Sequence, residues 1–168
     1  MPTLIRRQDD DQFSLAEDSF TAVADDAPLP PGDVIVSFTR FQAEGDRLLA
    51  EGRAVGVRLE PAEEVEALAY DLPRIAVVAL AFPKYRDGRA YTAAHLLRQR
   101  LGYAGEVRAV GEVLREQAGF MVRCGIDSFV PADGATPQDW AHAVHRHRHV
   151  YQRAADLRVP AYVEREGG

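Results

Sequence analysis

Apolar residues along the chain alternate between two periods, short runs of branched side chains and longer stretches with a stripe at helical spacing. Residues 33–38 (DVIVSF) read as a strand entered from the turn-rich 28–32 segment. In 40–51, Phe41, Leu48 and Leu49 fall on one helical face, and Gly52 follows as a stop. A second strand is predicted at 54–59. Pro61 is suited to a helix start, with Val65, Leu68, Ala69 and Leu72 on one face before Pro73. The run 75–82 is apolar throughout and closed by Pro83, as expected of a strand covered on both sides. A helix at 88–101, a strand at 106–110, a helix at 112–124 and a strand at 126–130 complete the alternation. A last helix is expected from about 137 to 156.

Five short apolar strands separated by amphipathic helices predict an α/β domain with a mostly parallel sheet and right-handed crossovers. The chain is too short for an eight-unit barrel, which takes ~250 residues. An open, doubly wound sheet is the preferred architecture, and a partial barrel is the alternative. The α/β domain is assigned to 33–159, preceded by an acidic arm at 1–32 that is suited to pair at a sheet edge. Residues 160–168 read as a polar C-terminal tail.

Composition narrows the function classes. The 168 residues are 46% apolar and 27% charged, a globular balance. The longest apolar run has eight residues, far short of the ~20 of a membrane-spanning helix, and no secretory signal is visible. A cytoplasmic location is therefore expected. The net charge of −6 argues against general nucleic-acid affinity. A single cysteine, Cys124, excludes an internal disulfide and cannot by itself ligate an iron–sulfur cluster. The phosphate-binding GxGxxG and GxxxxGK[ST] patterns and the nucleophile elbow GxSxG are all absent. No cofactor is expected.

The charge is unevenly placed. Residues 1–33 hold two arginines against eight acids, whereas residues 83–125 hold eight basic side chains against four acidic ones. In parallel sheets, ligands bind beyond the carboxyl ends of the strands. The 75–82 strand delivers Lys84, Arg86, Asp87 and Arg89 to that edge, just ahead of a helix N-terminus that favours an anion. The next unit brings Glu112, Arg115 and Glu116. Lys84, Arg86, Arg89, Arg108, Arg115 and Arg123 are thus candidate anion- or partner-binding residues, and Asp87 and Glu112 candidate acid–base residues. Solvated helix faces and a simple cap-and-turn at Asp87-Gly88 are the alternative. Cys124 reads as a buried, inert thiol. His142, His145 and His149 share one face of the final helix, but no further ligand completes a metal set.

The stretch from Phe82-Pro83-Lys84-Tyr85-Arg86-Asp87-Gly88-Arg89 through Gly105–Gln117 to Arg123-Cys124-Gly125 resembles an uncharacterised bacterial family, domain of unknown function 934. The likeness covers roughly residues 33–155. Glu112 and Glu116 stand where the family pattern suggests aspartates. The resemblance implies an association with assimilatory sulfite reduction, and members carry an oxidoreductase label. Sulfite reduction needs haem and iron–sulfur chemistry, so the expected role is an accessory protein docking on sulfite reductase or its electron donor. Two other readings stand beside it: a small α/β enzyme acting on a phosphorylated or sulfonated metabolite, with an oxyanion on Lys84 and Arg89, and a homodimeric scaffold.

Overall fold

The structure, a computed structural model, describes residues 2–146, 150, 154–156 and 158–166. Its strands are β1 (Leu4–Arg7), β2 (Phe13–Ala16), β3 (Phe20–Ala22), β4 (Asp33–Ser37), β5 (Val55–Leu59), β6 (Val77–Phe82), β7 (Glu106–Gly111) and β8 (Ser128–Phe129). They make one sheet in the order β2-β1-β8-β7-β6-β5-β4-β3. All neighbours from β3 to β8 pair in parallel, while β1 is antiparallel to both β8 and β2. The helices are α1 (Phe38–Ala50), α2 (Arg89–His95), α3 (Ala118–Arg123), α4 (Pro137–Val144) and α5 (Ala161–Glu166).

Two expectations are corrected here. The sheet has eight strands instead of about five, because the acidic arm supplies three. From β4 to β8 the spatial order follows the chain without reversing, so the sheet is a singly wound half-barrel and has no doubly wound switch point. The linker between β2 and β3 shows how strongly it curls. Only residues 17–19 join these strands, which form opposite edges of the sheet. Such a link reaches at most roughly 14 Å, whereas seven flat strand spacings would separate the edges by about 34 Å. The sheet must bend to bring them together.

Alternation along the strands divides the two faces. Val34, Val36, Val55, Val57, Val78, Leu80, Phe82, Val107 and Ala109 pack under the helices, with Leu48, Leu97, Met121 and Trp140. The concave face carries Ile35, Val77 and Ala79, with Phe20 and Val110 against them. Gly56 is needed on that face, since a Cβ there would lie 2.8 Å from the Ile35 side chain.

The helical segments depart most from the periodic reading. In place of one helix after Pro61 there are two 3₁₀ turns, Val65–Leu68 and Leu72–Arg74. The buried residues there, Val65 with Leu68 and Leu72 with Ile75, are three apart, a spacing that a 3₁₀ turn eclipses on one side. Helix α2 continues into a π turn at Leu96–Arg100. The helix expected at 112–124 is reduced to a 3₁₀ turn, Arg115–Gln117, and α3, because Glu112 is drawn across to the preceding loop. A capping box between Thr136 and Asp139 starts α4, which ends at Val144 instead of continuing to 156. The expected polar tail contains α5.

Candidate functional site

The carboxyl edge of the sheet is shaped by how the chain leaves β6 and β7. Every residue of β6 is buried, so its exit is fixed by the core. Pro83 then turns the chain into a loop closed by a hydrogen bond from the Asp87 amide to the Lys84 carbonyl, 3.0 Å. The neighbouring exit is held by Gly111, whose φ of +97° suits glycine, and a Cβ there would lie 2.5 Å from the Phe82 carbonyl oxygen. This close approach brings Glu112 beside the β6 loop. Its carboxylate accepts a hydrogen bond from the Tyr85 amide at 2.6 Å, and Gln117 donates to the Tyr85 carbonyl at 3.0 Å. Tyr85 is thus clamped through its backbone while 48% of the residue remains exposed.

The candidate acid–base residues are committed to structure. Asp87 accepts from the Nε and Nη2 of Arg89 at 3.0 and 2.8 Å and from the Arg89 amide at 3.2 Å. These bonds, the side-chain ones first, hold its carboxyl below the usual carboxylate range. Asp87 is therefore an ionised partner of Arg89, and a poor proton carrier near neutral pH. Glu112 is the brace of the Tyr85 amide.

The six cations go to three places. Lys84, Arg86, Arg89 and Arg115 lie at the carboxyl edge and are exposed. Arg89 is paired with Asp87, and Arg115 with Asp133 at 3.1 Å and Asp139 at 3.6 Å. Lys84 and Arg86 form no ion pair among the described residues. Arg108 does not reach this edge, which corrects its place in the set. It points from mid-strand to the concave face, is 2% exposed, and binds Glu106 at 2.8 Å and Asp18 at 2.9 Å beneath the Phe20 ring. Arg123 ends α3 at the opposite edge, where the chain enters β8, and bonds Asp156 at 3.3 Å. Arg108 in mid-strand and Arg123 at a helix end are positions the sequence gives, but the distant partners that hold them, Asp18 and Asp156, are not.

Sequence reasoning missed the aromatic component. Buried Phe82 touches the Tyr91 ring (centroids 5.1 Å apart), and Tyr91 meets Phe120 edge-on at 4.6 Å. Phe120 is 59% exposed, and burial pushes the Tyr91 phenol up to about 12. The ladder anchors an exposed ring to the core near the loop that carries Tyr85. The signal available in the sequence was an aromatic residue flanked by two cations, Lys84-Tyr85-Arg86.

Also missed was a cleft of about 250 Å³ on the other side of α2. Its floor is apolar, with Leu59, Val65, Leu80 and Leu96, and its rim bears Glu60, Glu63, Glu64 and Glu66. Among the described residues the only cation lining it is Arg89, already paired with Asp87. This cavity is acidic, opposite in sign to the oxyanion site expected at Lys84 and Arg89. Cys124 is half-buried, and burial raises its thiol to about 11 against the pull of Arg123. Among the described residues no three His, Cys, Asp or Glu side chains are grouped to hold a metal ion. His142 and His145 are exposed, and His149 lies outside the described residues. No helix among them is long and apolar enough to cross a membrane.

The family model described as "Bacterial protein of unknown function (DUF934)" matches residues 56–162, from β5 into α5, and the chain belongs to that family. No curated protein matches the chain.

Proposed function

We propose that this DUF934 member is an accessory docking protein, which uses the β6 loop to receive an acidic surface on a partner. One observation carries the reading. Lys84, Tyr85 and Arg86 project together from a loop whose backbone is braced by Glu112 and Gln117, and neither cation has an ion-pair partner among the described residues. Such a loop loses little conformational freedom on binding, and its tyrosine and arginine are side-chain types enriched at interface hot spots. The competing enzyme reading is weakened at its chemical centre, because Asp87 is held by Arg89 and Glu112 by the Tyr85 amide.

The setting in sulfite reduction is what the family resemblance implies, and the partner would be the reductase or its electron donor. Deleting the gene in its bacterial host should impair growth on sulfate and leave growth on cysteine intact. Complementation with wild type should restore growth, and Lys84→Glu/Arg86→Glu should not, although the variant protein melts at the wild-type temperature. Unimpaired growth of the deletion strain on sulfate would remove the sulfur assignment. Full complementation by the variant would remove the loop as the docking element.

A further inference from the structure

We infer that the carboxyl edge is self-complementary, and that a second copy of this chain covers it by seating its Lys84-Tyr85-Arg86 loop in the acidic cleft beside α2. The inference rests on reading that loop as a recognition surface, and it names an occupant for the cleft. At about 250 Å³ the cleft is smaller than the roughly 300–1,000 Å³ of small-molecule sites. It suits a single inserted side chain. Its floor of Leu59, Val65, Leu80 and Leu96 calls for an apolar or aromatic insert, and its glutamate rim for flanking cations. The chain displays that combination once beside the cleft, as an exposed tyrosine between Lys84 and Arg86.

Placement makes the match reciprocal. The cleft lies at the end of β5 and the loop at the end of β6, adjacent strands whose exits flank the start of α2. A two-fold axis passing between them puts the loop of each copy over the cleft of the other. Such an isologous contact is closed, so it makes a dimer and no filament. On the acidic side, Glu64 and Glu66 are exposed and have no ion pair among the described residues. Glu60 is bound to Arg58 at 2.9 Å, and Glu63 accepts from the Glu60 amide. Each contact therefore joins two unpaired cations to two unpaired carboxylates, around one aromatic anchor.

A charge swap tests this with the full-length chain. Wild type should scatter light at twice the chain mass in low salt and dissociate at about 1 M salt, where the Debye length is ~3 Å. Lys84→Glu/Arg86→Glu and Glu64→Lys/Glu66→Lys should each self-associate more than ~100-fold more weakly, because like charges then face each other twice. Mixed in equal amounts, the two variants should form a heterodimer, since both of its contacts are again complementary. Tyr85→Ser should weaken the dimer without changing charge, which keeps the test valid should either reversal fail to fold. A wild type that is monomeric at every concentration, a dimer that survives both reversals, or variants that stay monomeric when mixed would each overturn the inference. A monomeric wild type whose loop variant still fails to complement growth would leave the docking reading standing alone.

Discussion

Arginine serves two opposite purposes on the concave face and at the carboxyl edge of this sheet. On the concave face, Arg108 is enclosed, and its guanidinium meets Glu106, Asp18 and the Phe20 ring. Glu106 is in turn completed by Arg6 at 2.8 Å and Ser128 at 2.5 Å. At the carboxyl edge, Arg86 and Lys84 stand in solvent without ion pairs among the described residues, on a backbone that is itself fastened. One cation ties the sheet to the 17–19 link between its edges, and the others have no ion pair among the described residues. The difference lies in neighbours and burial, since the residue type is shared.

The comparison can be broken most severely at Arg108. Arg108→Met should lower stability by about 3–5 kcal/mol in urea unfolding, the usual cost of removing one member of a buried ion pair. A loss below ~1 kcal/mol would show that the concave network is not structural. Asp18→Asn keeps an acceptor but removes the charge that ties residues 17–19 across the concave face. It should cost about 1.5–3 kcal/mol, the range of hydrogen bonds to charged groups, and should raise amide exchange in β3 before β6. Glu112→Ala removes the acceptor for the exposed Tyr85 amide. The expected loss is at most about 1 kcal/mol, with increased mobility confined to 83–88, seen as faster exchange there. At about 1 M salt, where copies are apart, Lys84→Ala/Arg86→Ala should leave stability within about 0.5 kcal/mol of wild type, as surface changes without partners do. A large loss in that variant would erase the distinction between the two regions.

Strands β4 to β8 were legible because branched apolar runs such as Val77–Phe82 have few other places to go than a covered sheet. The half-barrel was harder to see. Its curvature depends on a three-residue link between opposite edges; the acidic arm was read as pairing at a sheet edge, as it does, but not as supplying both edges. The helix read at 112–124 was overextended because Glu112 takes a tertiary partner at Tyr85. The β6 loop was found as a group of charges, but its division was hidden. One partner of Arg108, Glu106, lies two residues away, but the other, Asp18, lies 90 positions away, and no local pattern announces it. Nothing in the sequence singles out Phe120, and only its ring contact with Tyr91 shows that it carries the core out to the surface.

The most direct measurement is site-specific photo-cross-linking in host cells growing on sulfate. A photoreactive phenylalanine analogue would replace either Tyr85 or Tyr70, a second exposed tyrosine at 87% exposure. Position 85 should give adducts both with a second copy of this chain and with another acidic protein, absent from position 70 and lost when Lys84→Glu/Arg86→Glu is added. Equal labelling from both positions, or an adduct at 85 that survives the charge reversal, would contradict the claim that this loop is the recognition surface.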